Sequence, residues 1–476
     1  MTIQFAQVPA SIRTPGKYLE FNNSLALRNL PTNRMTLLLV GQVNTGTVPP
    51  AGLNVAVQVF DTQTADTYFG AGSQLSRMVA AAIKANPYCS ITCLPVADPV
   101  AGVAATSAIV AAGGTAPTVA GTVYFYIAGK AYQIAAAITD TVATVLQALG
   151  TAITADPSSP AAASWNAGSS TLTLTAKNTG LEGNHIALSC DPGNTGFVVT
   201  IPAMAGGTGT VVLTTALANV FPTRYNCIVS GWSDATTIEL LRDHVNSAGG
   251  AMEMRGQRVF CGSTDTIANA TAIATALNAE RVTIGVCGGS PSTPSDIAAA
   301  YAAVRASEED PAMPLDTLAL PGIVPPAAAN RYTRTEKETM LYAGLTPLEV
   351  GPGELVQIVR AISTYTLNAQ GVDDWSYLDI ETVDTLDYIR DAVRTRWANR
   401  FGRSKLNDST IAKVWSETYS VLLSLEDLEV VENVEANKAT LQVSRNLQDP
   451  NRLDVAIPSD IVTGLHVLAG VIYLIL

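Results

Sequence analysis

Asn226-Cys227-Ile228-Val229-Ser230 is followed by Gly231-Trp232-Ser233-Asp234, and then by Ile238, Leu240, Leu241 and Val245 in a helical pattern. A short run with its centre wholly apolar reads as a strand buried on both faces. Asp234 is a candidate N-cap for the helix, and Gly249-Gly250 is its candidate stop. The unit then repeats: strand Arg258–Cys261, helix Thr266–Asn278, strand Val282–Val286 and helix Ser295–Ala306. Strands that alternate with helices imply a mostly parallel sheet covered on both faces.

The same alternation occurs earlier. Met35–Val40 reads as a buried strand ending at Gly41. Gln74–Ala85 has helical periodicity through Leu75, Met78, Val79, Ala82 and Ile83, and Ser90–Leu94 is the next strand, closed by Pro95. Residues 31–100 and 211–343 therefore read as one discontinuous α/β domain. The stretch between, residues 101–210, is rich in Ala, Gly and Thr, and its only charges are Lys130, Asp140, Asp156, Lys177, Glu182 and Asp191. Strands Val123–Ile127, Ala131–Ala135, Thr171–Thr175 and Ile186–Ser189 around a helix at Val142–Ile153 make it an inserted β-rich domain.

Beyond it, residues 344–463 read as an α+β domain. A strand at Tyr377–Ile380 leads into a helix from Val383 to Phe401. A second helix, Ile411–Leu425, is capped by Asp408 or Ser409, and strands Ala439–Val443 and Leu453–Ile457 follow. Residues 1–30, broken by Pro9 and Pro15-Gly16, form no regular element except a short strand at Lys17–Phe21. At the other end, Leu465-His466-Val467-Leu468-Ala469-Gly470-Val471-Ile472-Tyr473-Leu474-Ile475-Leu476 is apolar on both alternating faces. It reads as a strand buried on both sides, in its own sheet or in another chain's. The expected fold class is thus α/β and α+β multidomain: an interrupted alternating sheet domain with a β-rich insert, a C-terminal α+β domain, and extended arms at 1–30 and 464–476.

Bulk properties narrow the function. With 476 residues, 47% hydrophobic and 14% charged, the chain builds well-packed domains. A net charge of −12 argues against general nucleic-acid binding. The apolar terminus is shorter than the roughly 20 residues a membrane span needs. The opening Met1-Thr2-Ile3-Gln4-Phe5 lacks a secretory pattern, so cytosolic synthesis and reduced cysteines are expected. Cys93, Cys227, Cys261 and Cys287 lie in or at the ends of strands as small hydrophobes, while Cys89 and Cys190 lie elsewhere. With no CxxC pair and three separated histidines, His185, His244 and His466, no zinc site is expected.

Catalytic motifs were sought and fail on specific residues. Gly41-Gln42-Val43-Asn44-Thr45-Gly46 opens no helix as GxGxxG would. Gly129-Lys130 lacks the upstream glycine and the following Ser or Thr of a phosphate loop. Gly231-Trp232-Ser233 has Ala235 where a nucleophile elbow needs glycine. His244, on the next helix, reads as a surface or half-buried residue rather than a catalytic one. No cofactor is expected, and an α/β enzyme is the weaker alternative.

One charged cluster stands out. From Asp387 to Lys405 there are six basic and two acidic residues, a local +4 that leaves −16 on the rest of the chain. On the Val383–Phe401 helix, Leu386, Ile389, Val393, Trp397 and Phe401 form the apolar stripe, Asp384 and Asp387 suit the first turn, and Gly402 suits the exit. The arginines read either as a solvated face or as a docking surface for an acidic partner.

The ends of the chain carry a resemblance. Pro15-Gly16-Lys17-Tyr18-Leu19-Glu20, then Leu30-Pro31-Thr32-Asn33-Arg34 and the strand ending Gly41-Gln42, resemble the start of Mu-like contractile phage tail sheath proteins. Leu447-Gln448-Asp449-Pro450-Asn451-Arg452-Leu453-Asp454-Val455 with Ile457-Pro458 is similar to their end, and the unit around Tyr377–Phe401 is similar too. That family is related to the sheaths of contractile injection systems such as R-type pyocins. The resemblance implies a virion-tail protein, assembled in the host cytoplasm, that polymerises with itself as stacked hexameric rings on a tail tube. It implies further partners in baseplate and tail terminator proteins, without nucleic acid or membrane insertion. The implied strand-exchange residues are Tyr18, Leu19, Glu20 and Phe21 in the N-terminal arm, and Val467, Val471, Ile472, Tyr473, Leu474 and Ile475 in the C-terminal arm. The implied tube contacts are Arg390, Arg394, Arg396, Arg400 and Arg403, with the C-terminal domain facing the tube and the insert facing outward. Another self-assembling shell protein is the other alternative.

Overall fold

The computed structural model describes Leu30, Asn33 and residues 35–475 of the chain. The N-terminal arm, including Tyr18, Leu19, Glu20 and Phe21, lies outside the described residues.

An eight-stranded sheet is the framework of the larger unit, residues 33–387 and 461–475. It contains β1 (Thr36–Gln42), β2 (Val57–Val59), β3 (Ser90–Val96), β10 (Cys227–Ser230), β11 (Arg258–Ser263), β12 (Val282–Val286), β13 (Thr346–Val350) and β14 (Val356–Ile358), the numbers skipped being strands of the insert. The spatial order is β14-β13-β12-β11-β10-β1-β3-β2. The strands from β13 to β3 are parallel, and β14 and β2 are antiparallel edges. Leu38 sits opposite Ile228, which sits opposite Val259, which sits opposite Val282. Alternate side chains of β1 divide between two cores. Leu37 and Leu39 pack with α1 (Thr62–Phe69), α2 (Gln74–Ala85) and α7 (Pro294–Arg305). Leu38 and Val40 pack with α4 (Thr214–Val220), α5 (Ala235–Gly249) and α6 (Ile267–Leu277). Two-sided burial is why these strands read as unbroken apolar runs. Asp234 caps α5 as expected, accepting from the Thr237 backbone N–H at 2.9 Å.

The insert holds two three-stranded antiparallel sheets. One is ordered β4 (Thr106–Val110), β8 (Thr171–Ala176), β7 (Ala161–Asn166). The other is ordered β6 (Lys130–Ala136), β5 (Gly121–Ile127), β9 (Leu188–Asp191). Helix α3 (Val142–Thr154) buries Val145, Leu146 and Leu149 against them. The strand β7 is not legible in the sequence, since Ala161-Ala162-Ala163 carries none of the β-branched signal of a strand.

Several expectations need correction. β13 and β14 fall within residues 344–463, the stretch assigned to a C-terminal domain, yet they extend the large sheet. The expected strand Tyr377–Ile380 is a turn, in which the Leu378 N–H donates to the Trp375 carbonyl at 3.2 Å and the Ser376 N–H to Asp374 at 2.9 Å. Helix α9 therefore begins earlier, at Ile380, and runs to Phe401. Helix α8 (Arg334–Tyr342) precedes β13.

The root of α9 is held by charge. Asp384 accepts from Arg258 Nη2 at 3.0 Å and from Arg305 Nε at 3.1 Å, and Arg305 is fully buried. Asp387 accepts both Arg281 Nη1 at 2.7 Å and Nη2 at 3.1 Å. Gly256 makes room for it, because a Cβ there would lie 2.1 Å from Asp387 Oδ2. Burial alone would raise the Asp384 pKa, but Arg258 and Arg305 hold it below the usual carboxylate value. The two aspartates thus pair with Arg258 of β11, Arg281 just before β12 and Arg305 at the end of α7 rather than serving the helix dipole.

The smaller unit, residues 388–460, contains the end of α9 and α10 (Asp408–Glu426). Asn407, not Asp408 or Ser409, caps α10, accepting from the Thr410 N–H at 2.9 Å. Gly402 follows α9 without the left-handed φ expected of it. β16 (Gln442–Arg445) and β17 (Leu453–Ala456) form a hairpin with Val443 opposite Val455, and β15 (Val431–Glu432) and β18 (Asp460–Ile461) are short. Lys438–Thr440, expected at the start of a strand, is a 3-10 turn.

Glu381, beside this clamp, is 5% exposed, and neither carboxyl oxygen hydrogen-bonds another described residue. Burial first, and then Asp379 and Asp384, push its pKa up to about 7 against the pull of Arg305. Between its ordinary value and about 7 the folded chain keeps a proton that the unfolded chain has released. Stability therefore falls as pH rises through that window. Glu381→Gln is expected to leave the urea midpoint unchanged near pH 4 and to raise stability at pH 8 by on the order of 2–3 kcal/mol. An unchanged pH dependence in the variant would refute this account of Glu381.

Candidate functional site

In an open α/β sheet, ligands bind beyond the carboxyl ends of the strands where the strand order reverses. Here that point lies between β1 and β10, and residues of the insert fill it. Gln42 Nε2 donates to the Thr179 carbonyl at 2.7 Å and to Asp98 at 2.8 Å. Asn178 donates to the Val43 carbonyl at 2.9 Å and accepts from the Gln74 N–H at 2.9 Å, at the start of α2. Glu182 accepts from the Ser233 N–H at 2.8 Å and from its hydroxyl at 2.9 Å, just before α5. The free donors that would greet a bound anion are thus met by the chain's own carboxylate. Ser233 Oγ lies 3.5 Å from His185 Nε2, but its proton goes to Glu182. His244 is buried against Phe221, with ring centroids 5.6 Å apart, and burial lowers its pKa. All six cysteines are free thiols. Among the described residues no cluster of three His, Cys, Asp or Glu could hold a metal, and no helix is long and apolar enough to cross a membrane.

The arginine run divides by burial. Arg394, Arg400 and Arg403 are exposed and Arg390 is half-buried. Arg396 is only 8% exposed and stands 3.7 Å from Glu417 of α10; Arg400 is 3.6 Å from the same carboxylate. Arg396 is thus withdrawn from any outward contact, contrary to expectation. On the apolar stripe Ile389 and Val393 are buried, and the Trp397 indole N–H donates to Thr418 at 2.9 Å, joining α9 to α10. Helical spacing alone does not reveal which arginine faces the partner helix.

Within its own chain the C-terminal arm is buried on neither face. Residues 462–475 belong to no strand of this chain. Val467, Val471, Ile472, Tyr473, Leu474 and Ile475 are 73–99% exposed, and Leu465 and Leu468 are exposed with them. Such a contiguous apolar segment marks an interaction surface. The β16–β17 hairpin is two-stranded among the described residues, which is marginal by itself. It is tied to α10 by the Trp415 indole N–H, which donates to the Leu441 carbonyl at 3.0 Å.

Residues 206–364 match the phage tail sheath protein central domain, and residues 372–475 match the phage tail sheath C-terminal domain. The Mu-like prophage FluMu tail sheath protein of Haemophilus influenzae is 31% identical over 495 residues, covering all of both chains. Among solved structures, a sheath tail protein from Listeria innocua shares the fold with a TM-score of 0.52 at 12% identity, over 92% of this chain and 94% of that one. The anti-feeding prophage helical sheath in its contracted state gives a TM-score of 0.50 at 10% identity, over 98% of each chain. With full-length identity to one tail sheath protein and both family domains in order, the chain belongs to the phage tail sheath family, the structural sheaths of contractile phage tails and injection systems.

Proposed function

We propose that this chain polymerises as stacked hexameric rings around a tail tube, that its two arms add strands to neighbouring subunits, and that the assembly contracts to drive the tube through the host envelope. The observation that carries this reading is the arm at 465–475, a run of large apolar side chains that its own chain leaves in water. An extended segment added to a sheet edge gains main-chain hydrogen bonds and side-chain burial together. The β16–β17 hairpin of a neighbour offers such an edge, and the N-terminal arm with Tyr18, Leu19, Glu20 and Phe21 supplies the reciprocal link. Head-to-tail links of this kind do not close, so they build helical tubes.

The chain acts mechanically, without catalysis or cofactor. Contraction draws on two packings of folded subunits rather than on nucleotide hydrolysis. The C-terminal domain, residues 372–475, faces the tube and the low-charge insert, residues 101–210, faces outward. Arg394, Arg400 and Arg403, with Arg390 at the margin, present positive charge to an acidic tube surface. A polar contact of this sort steers assembly and still lets the tube slide free. Baseplate and terminator proteins complete the partners, in a virion tail assembled in the host cytoplasm.

Deleting Leu465–Leu476 is expected to leave the melting temperature and circular dichroism of the subunit unchanged and to abolish tubes in negative-stain micrographs. Striated tubes from the truncated chain would sink the proposal. The double variant Arg394→Glu, Arg403→Glu is expected to keep subunit stability within about 0.5 kcal/mol and to fail to polymerise on purified tubes. Normally sheathed tubes would remove the arginines from the tube contact. Arg396→Ala is the contrasting variant, expected to destabilise the α9–α10 pair through lost packing against Glu417.

A further inference from the structure

Both ends of the described chain are tied to one loop. Where the N-terminal arm joins the body, Asn33 Nδ2 donates to the Glu309 carbonyl at 2.9 Å. Where the C-terminal arm leaves it, His466 Nδ1 lies 2.7 Å from Asp316 Oδ2, and Nε2 lies 3.7 Å from Asp379. Gly464 passes so close to Pro314 that an added Cβ would stand 3.0 Å from the proline Cβ. Past His466 the chain is exposed, with Val467 at 76% and Leu468 at 89%.

That loop, Glu308–Asp316, is a firm platform. At its start the buried Arg305 donates to the Glu308 carbonyl at 3.0 Å. Leu315 is fully buried. Immediately after it, the Thr317 N–H donates to the Ile358 carbonyl at 2.8 Å and the Leu320 N–H to the Val356 carbonyl at 2.7 Å, pinning the chain to β14. Thr317 adopts φ +65°, a conformation a β-branched residue holds only when its surroundings impose it.

We propose that the Glu308–Asp316 loop is the common anchor of both arms, and that the His466–Asp316 ion pair is the clasp that fixes where the C-terminal arm leaves the subunit. This rests on the reading that the arms link subunits. Under that reading the two links of each subunit pivot about one point, and tension along an arm is met at the clasp and the platform rather than by unravelling β14.

The groups facing His466 are Asp316 and Asp379, with Arg360, which pairs with Asp379 at 2.8 Å, acting against them. The Asp316 hydrogen bond, opposed by burial and by Arg360, holds the imidazole pKa above its ordinary value. The clasp is therefore complete below about pH 6.5 and loses its charge assistance as pH rises through the raised pKa.

The test is histidine NMR on the full chain at concentrations that keep it unassembled. With three histidines, the His466 signal is assigned by its loss in His466→Asn. The expected titration midpoint lies above 6.5 and drops in Asp316→Asn. The His466 ring protons are expected to relax as ordered groups in wild type at pH 6 and as freer ones in Asp316→Asn. A midpoint at or below 6.5, or equal ring relaxation in wild type and Asp316→Asn at pH 6, overturns the clasp. Tubes formed by the chain lacking Leu465–Leu476 would overturn the strand-exchange reading and leave the clasp measured in the subunit standing.

Discussion

Asp384 accepts from two arginines at once, Arg258 of β11 and Arg305 at the end of α7, and Arg305 has no access to water. A buried guanidinium left unpaired costs several kcal/mol, so the aspartate must be delivered to that spot. Helix α9 delivers it and places Asp387 against Arg281 one turn later. The start of α9 is thereby set by charge pairing rather than by its own sequence preferences. Within the smaller unit Ile389 and Val393 are buried, the Trp397 indole meets Thr418 of α10, and Arg394 is exposed. A symmetric apolar contact could slip by a turn, whereas two carboxylates matched to three fixed arginines cannot.

The parallel strands were legible because burial on both faces leaves an unbroken apolar run, and β1, β3, β10, β11 and β12 all have one. Edge strands lack it. β14 is three residues long and β2 likewise, and each is held by a neighbour rather than by a pattern of its own. Tyr377–Ile380 reads as a strand for a related reason. Aromatic and β-branched residues favour strands, but Asp374 accepts the Ser376 N–H and turns the chain before a ladder can form. At the candidate site, the charge cluster on α9 was visible in the sequence. That Arg396 belongs to the inside was not, because Glu417 lies on a helix whose position depends on tertiary packing.

The apolar arm was legible in composition but not in destination. Alternating apolar side chains on both faces demand burial, and that demand is identical for a strand in its own sheet and for one given away. Within its own chain the side chains from Val471 to Ile475 are solvated, while the chain remains anchored as far as His466. The boundary between held and free chain therefore falls at a single ion pair, beside a glycine that can lie flat on Pro314.

The α/β framework itself points to the same use of surface over pocket. The crevice at the β1–β10 reversal is where such a fold ordinarily accepts a ligand, and two helix N-termini converge on it. Glu182 takes the donors of Ser233, and Asn178 takes the backbone at Val43 and Gln74. An insert keyed in this way makes its own loop the permanent occupant, so any displacement of the insert would strand a carboxylate and several backbone groups away from their partners. The energetic consequence is that insert and sheet resist separation.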